Sequence, residues 1–478
     1  MQNEAVAGPI DPKQPLPVYV QLKTLLLEEI LRGRYGPGER LPTEHELCAT
    51  YQISRTPVNR ALSELAEEGV VLRHRRRGSF VNPHWVRRNP SGHELRVVVP
   101  DGPWEEIIRN AVPAGVSFNV ARVSLDELHQ ALVHAVAEGR APDLAVIDSV
   151  WVHEFTASGF LTPLDDLDPV WVRDHHDADF LEPFRSANRF DGRLVAVQAE
   201  ADVAGIWFRH HDVGPRPPGT WSELAAYGAR LARPDAAPIT LPGGSRAGET
   251  ATYCLLALLA SNGATVLRPG GVTLHSPATM ECLEFLRDLV NRGIVSPDAV
   301  AYERDRPIRQ LAHGQASLAF GGSYDAPALA AATGLPRERL LDEYGFARIP
   351  QGPRGGAATL AGGMVYAIFR QARSPELAMR LLRRVVSTEA LADMSRATWQ
   401  IASRRSAVDL VAATSPYLRA TGALLSHAVV RPSTTQYARV SAQIQAMLEA
   451  VLTGRLEPAA ASARTAELIS AITGLPAD

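Results

Sequence analysis

Lysine is almost missing. Lys13 and Lys23 are the two lysines among 478 residues that carry 49 basic side chains, so cationic chemistry falls to arginine. A body that holds pyridoxal phosphate as a Schiff base needs a lysine outside the first few dozen residues, and that class is excluded. Cysteine is scarce as well: Cys48, Cys254 and Cys282 are odd in number, without metal spacing, and sit in apolar helical contexts, as reduced core residues do. The longest apolar run, Cys254 to Ala260, is far too short to cross a bilayer. The first ten residues lack the charged-then-apolar order of a signal peptide, so the expected setting is intracellular and cytoplasmic, with no membrane partner. No GxSxG, phosphate-binding loop or HExxH occurs, and nothing pairs a nucleophile with a base. His175-His176-Asp177 with Asp179, and His210-His211-Asp212, read as polar loops rather than metal ligands. The chain is read as a non-enzyme without cofactor or metal.

What is present is uneven. Net charge is only −3, but residues 1–90 hold 13 basic against 10 acidic side chains and the remainder 36 against 42. No acid falls between Glu68 and Glu94, a stretch containing Arg73, Arg75, Arg76, Arg77, Arg87 and Arg88. A nucleic-acid footprint is therefore expected at the N-terminus alone. The length suggests about three compact units.

Leu41 to Val81 contains two helix starts. Thr43 with Glu46 is a capping box, Ser54 is a second N-cap with Pro57 in the first turn, and Tyr51-Gln52-Ile53 is a short turn between them. On the second helix Val58, Leu62 and Leu65 turn inward, leaving Arg55, Thr56, Asn59, Arg60 and Ser63 outside, where they can meet phosphates and base edges. Val70-Val71-Leu72 then reads as strand, and a basic turn leads into Ser79-Phe80-Val81. Ahead of this pair, Val18, Leu22, Leu25, Leu26 and Ile30 give a helix that packs beneath it.

Residues 16–81, with PVYVQLK, YGPGERLPTE, SRTPV and EEGVVLRHRRRGSFV, resemble the winged helix-turn-helix of the GntR family of bacterial repressors. The resemblance implies contacts to a two-fold operator DNA from Glu44, Ser54, Arg55, Thr56, Arg77 and Gly78. The chain departs from the family at His45 and Asn59, where arginine is usual, and Asn favours adenine while Arg favours guanine. The expected DNA-binding set is Glu44, His45, Ser54, Arg55, Thr56, Asn59, Arg60, Arg75, Arg77 and Gly78. Family resemblance also implies a homodimer and repression relieved by a ligand.

Residues 1–15 read as a disordered arm and 82–94, with Pro83, Pro90 and Gly92, as a linker. From Leu95 onward, Leu95–Pro100 and Asp143–Asp148 are short apolar runs separated by a helical Asp126 to Glu138, a βαβ grammar that predicts mostly parallel sheet. Tyr437, Val440, Ile444, Met447 and Val451 follow helical spacing, expected to face a core rather than a dimer seam. The segments APDLAVIDSVWVHEFTASGFLTPLDDL, DGRLVAVQAEADVAGIWFR, GTWSELAAYGARLA, GQASLAFGGSYDA, FARIPQGPRGG and LAGGMVYAIF resemble the sugar-type solute-binding proteins of ABC importers, in that family's order.

That resemblance implies a multidomain chain. A winged helix-turn-helix would precede a two-lobed α/β periplasmic-binding-protein-like (type 2) domain over 95–478. Lobe one would span about 95–201 and 366–398, and lobe two about 202–365 and 399–478. A sugar pocket wants an aromatic platform and planar polar groups at strand ends. The candidates are Trp104, Asp148, Ser149, Trp151, Glu200, Asp202, Trp207, Ser323, Tyr324, Gly362, Gly363 and Arg404. For Arg404 a structural ion pair is the competing reading. The expected function is a transcription regulator sensing a small molecule, most readily a sugar or oligosaccharide. An intracellular solute buffer with a vestigial DNA head is the alternative.

Overall fold

The computed structural model describes residues 10, 17–31, 34–74, 77–83, 94–113, 115–233, 236–356 and 359–477. Three helices, α1 (Val18–Leu31), α2 (Glu44–Tyr51) and α3 (Arg55–Glu67), precede an antiparallel hairpin of β1 (Val71–His74) and β2 (Gly78–Val81). The capping box at α2 forms as expected: Thr43 Oγ1 accepts the Glu46 N–H at 3.2 Å, and the Glu46 carboxylate accepts the Thr43 N–H at 2.7 Å. Gln52 ends that helix in the left-handed conformation, φ 53°. Ser54 stands at the N-cap of α3 but makes no side-chain cap bond, which corrects its expected role. Leu22, Leu26, Leu47, Val58, Leu62, Leu65, Val71 and Val81 close one core.

Two boundaries shift. Ile10 is buried against this core, while the rest of the arm expected over 1–15 lies outside the described residues. Asn82 belongs to the head rather than a linker, its amide Nδ2 donating to Gly69 O at 2.8 Å; residues 84–93 lie outside the described residues.

The chain divides into two compact units, 1–175 with 188–197 and 365–387, and 176–187 with 198–364 and 388–478. The crossings thus fall at 197/198 and 364/365, four residues and one residue before the expected ones, and the helix Thr388–Thr398 goes with the second unit. The head falls in the first unit.

In the first unit β3 (Leu95–Pro100) pairs in parallel with β4 (Phe118–Val123) on one side and β5 (Leu144–Asp148) on the other. Beyond β5 lie the strands Met364–Ile368 and Val197–Gln198. The helices α4 (Trp104–Ala111) and α5 (Leu125–Ala137) follow β3 and β4. Leu128, Leu132, Val136, Ile147, Phe155 and Val365 are buried together. Asp143, fully buried at the start of β5, accepts backbone N–H groups from Arg96 at 2.8 Å and Arg373 at 2.5 Å, which satisfies the carboxylate away from water.

The second unit is built on β6 (Asp202–Arg209), and here the parallel expectation fails. β7 (Ile239–Thr240) runs parallel to β8 (Leu318–Gly322), and β10 (Thr359–Gly362) runs parallel to β11 (Ala428–Val430). β6 is antiparallel to β8, to β9 (Tyr344–Arg348) and to β10. The start of β6 therefore meets the C-terminal ends of β8, β10 and β11 on one sheet edge. The helix α6 (Glu249–Ser261) lies over the sheet, and Tyr437, Val440, Ile444, Met447 and Val451 are all buried, as the spacing predicted.

Candidate functional site

The first candidate is the exposed face of the head. The inward stripe of α3 is Val58, Ala61, Leu62 and Leu65. Ser54, Arg55, Thr56, Asn59 and Arg60 are exposed, as are His45 and Arg77, and Glu44 is half-buried. Arg75 lies outside the described residues. Glu44 organises this face. Its Oε2 accepts Arg55 Nε at 2.8 Å, and its Oε1 accepts Arg73 Nη2 at 2.7 Å and Asn59 Nδ2 at 3.3 Å. The bond to Glu44 is the main reason the Arg55 guanidinium is held more firmly protonated than usual. Two arginines and an amide are thus oriented around one carboxylate.

Arg60 is placed differently. Its guanidinium donates to Glu64 at 3.1 Å and to the Tyr19 hydroxyl at 2.9 Å, and lies 3.7 Å over the Tyr19 ring. Gly78, at the wing, has φ +105°, and a Cβ there would stand 3.0 Å from Arg40 Nε. Arg40 and Arg73 therefore join this surface although neither was expected as a contact.

The second candidate is the sheet edge of the second unit. Asp202 at the start of β6 accepts the Tyr253 hydroxyl from α6. Gly362, ending β10, is where Asp202 and Arg431 converge: a Cβ would stand 3.1 Å from Asp202 Oδ1 and 2.7 Å from Arg431 Nη2. Gly363 has φ +125°, and a Cβ there would lie 2.3 Å from Glu200 O. Arg431 donates to Glu249 at 3.1 Å and lies over the Tyr253 ring at 5.5 Å; Glu249 also accepts Tyr437 and Ser441 hydroxyls at 2.6 and 2.8 Å. Burial, then the neighbouring Asp202, pushes the Tyr253 phenol well up. Asp325, partly buried just past β8, accepts the Gly322 N–H at 2.9 Å and is pushed up to about 7, chiefly by burial.

Several expected ligand residues have other roles. Trp207 is wholly buried and donates its indole N–H to Gly322 O at 2.9 Å, so it cannot be a platform. Trp104 is buried edge-on to Tyr366, and the Ser323 hydroxyl is buried, accepting the Val203 N–H at 3.1 Å. Arg404 is an ion-pair partner of Asp179 at 2.8 Å, the competing reading. Tyr324 stays half-buried beside Tyr253, 6.0 Å between rings. In the first unit Asp148 ends β5 and accepts the Val150 N–H at 3.1 Å, with Ser149 and the half-buried Trp151 following on the same turn. Among the described tryptophans, Trp151 and Trp399 keep partly exposed rings.

Residues 104–392 match the family described as bacterial extracellular solute-binding protein. This chain belongs to the bacterial extracellular solute-binding protein family. Its residues 18–81 match the bacterial regulatory proteins of the gntR family, so a GntR winged helix precedes the solute-binding body. A protein of Brucella abortus named as a binding protein is 25% identical over 310 residues, 60% of this chain and 71% of that one. The Escherichia coli "Probable fructoselysine utilization operon transcriptional repressor" is 39% identical over 69 residues, 14% of this chain and 28% of that one. Among solved structures, an ABC transporter solute-binding protein of Thermotoga lettingae bound with α-D-tagatose has a TM-score of 0.71 at 23% identity, covering 80% of this chain and 100% of that one.

Reasoning from sequence did not pick out Tyr253, Glu249 and Arg431, which the structure of this solute-binding protein groups near Asp202. A signal existed for Arg431, the first residue after an apolar triplet, since polar residues just past parallel strands mark the ligand edge of open α/β sheets. Tyr253 and Glu249 sit in α6 among apolar neighbours and carry no comparable mark.

Proposed function

We propose that this protein is a DNA-binding transcriptional repressor whose solute-binding body senses a sugar or oligosaccharide in the cytoplasm, working as a homodimer on a two-fold operator. The observation that carries the reading is a reading face of exposed, pre-oriented Arg55, Arg73 and Asn59 in the same chain as a solute-binding fold. The tagatose-bound structure, whose fold this body shares, supports a sugar as the ligand class. In the second unit, Asp202 at the start of β6 and the half-buried Tyr324 supply a carboxylate and an aromatic hydroxyl suited to a sugar. His45, Ser54, Thr56 and Arg77 complete the proposed operator contacts, with Gly78 allowing close approach of the wing. A ligand regulates only through its differential affinity for the states of the body, which then repositions two heads over the half-sites.

The test is thermal denaturation of the full chain against a panel of ketoses, aldoses and oligosaccharides, α-D-tagatose included. A ligand at a hundred times its Kd stabilises by about 2.7 kcal/mol, and one or a few related sugars are expected to do so. A panel without any shift would overturn the sugar-sensing reading.

A further inference from the structure

The opening helix of the head has more buried surface than a tethered DNA-binding head requires. A helix serving one core buries one stripe, and Leu22, Leu26 and Ile30 provide it by packing in the head. Yet every residue from Val20 to Thr24 is buried, including Lys23 at 2% exposure and Thr24 at 0%. Val20, Thr24 and Leu27 recur at four and three residues, which makes a second stripe on the same helix.

That second stripe meets the body's first lobe. Val20 is packed in a cluster with Leu128, Leu132 and Val136 of α5, and Tyr19 packs against both this cluster and the head core. Gly139, two residues past α5 with φ +67°, faces Leu27 so closely that a Cβ would lie 2.8 Å from Leu27 Cδ2. On its other side α1 grips the recognition helix α3. Lys23 Nζ reaches Glu64 at 3.3 Å and also Glu68, and Tyr19 receives Arg60 at its hydroxyl and over its ring. One of two lysines in the chain is thus spent on an ion pair inside this junction.

We propose that α1 is a rigid transmission element that fixes the recognition helix to lobe one, so that head and lobe one move as one body and regulation passes through helix packing. Its use as a regulatory device rests on the repressor reading above, but its test needs neither sugar nor DNA. Lobe one would set the direction of its recognition helix, and movement of the rest of the body would alter the spacing of two heads in a dimer.

Native-state hydrogen exchange on the full chain decides it, using Leu132→Ala, which changes no atom of the head. The amides of α3 from Val58 to Leu65 should exchange about tenfold faster in the variant, together with those of α1, because their protection includes docking on lobe one. If the alanine variant does not accumulate, Leu132→Val reads the same coupling by a smaller factor. Val20→Lys, from the head side, should accelerate α3 while leaving the β3 amides within about twofold of wild type. Faster exchange confined to α5, with α1 and α3 unchanged in Leu132→Ala, would overturn the proposal. A sugar panel without a hit leaves this result standing, and an independent head leaves the sugar reading standing.

Discussion

Two clusters in this protein each gather donors on one carboxylate and differ in how far their arginine meets water. On the reading face Glu44 holds Arg55, Arg73 and Asn59, and the Arg55 side chain is 79% exposed. In the second unit Glu249 holds Arg431, Tyr437 and Ser441, and the Arg431 side chain is 9% exposed. An exposed ion pair contributes about 0–1 kcal/mol to stability, so losing the Arg55–Glu44 bond should cost little. Removing a nearly buried arginine also loses its packing and its hydrogen bonds. On the proposed reading, the first cluster can give up its pairing at little cost, while the second keeps a nearly buried arginine in place.

The largest effect should come from the backbone of the buried wall. Gly363→Val forces a branched residue to φ +125° with its Cβ against Glu200 O, and should destabilise the second unit by about 3–5 kcal/mol in urea unfolding. Arg431→Ala should cost about 1–3 kcal/mol by the same measure, from the lost packing and hydrogen bonds of a side chain only 9% exposed, while Glu249, 32% exposed, stays hydrated. Arg55→Ala should leave the melting temperature in place and weaken binding to a selected DNA site by about 1–3 kcal/mol, read by anisotropy at fixed salt. Equal stability losses for Arg431→Ala and Arg55→Ala would break the comparison.

A pH series sharpens it. Asp325 has a folded pKa of about 7 against 3.8 for the free side chain, so the folded chain binds its proton more tightly and stability falls as pH rises through that window. Asp325→Asn should flatten that decline and gain about 1–2 kcal/mol at pH 8, the figure being reduced for the partial exposure of the carboxyl. The smallest contrast lies within the head. Thr43→Ala removes a formed cap and should cost about 1 kcal/mol, while Ser54→Ala, whose hydroxyl caps nothing, should change stability by less than about 0.5 kcal/mol and show its effect in DNA affinity.

The head was legible because its helix starts, inward stripe and wing are local patterns, each fixed by residues three or four apart. Its surface chemistry was less so, since Arg73 reaches Glu44 across 29 residues and Arg40 meets the wing through the hairpin. In the body, β4 was missed because Phe118–Val123 alternates half-buried and exposed residues at a sheet edge, without the apolar run of a central strand. The tryptophans misled: Trp207 stands at a strand end in sequence, but its ring is turned into packing with Phe346 and Tyr417. The second docking face of α1 was hidden because Lys23 and Thr24 read as polar surface until their partners are known.

The most direct measurement is DNA affinity of the full chain, at fixed salt, with and without a sugar that raises its melting temperature. The DNA is a duplex that the chain itself selects from a random library. The account predicts that such a sugar weakens binding at least about fivefold, the lower end of an allosteric coupling. A sugar that binds the body and leaves DNA affinity unchanged would contradict it.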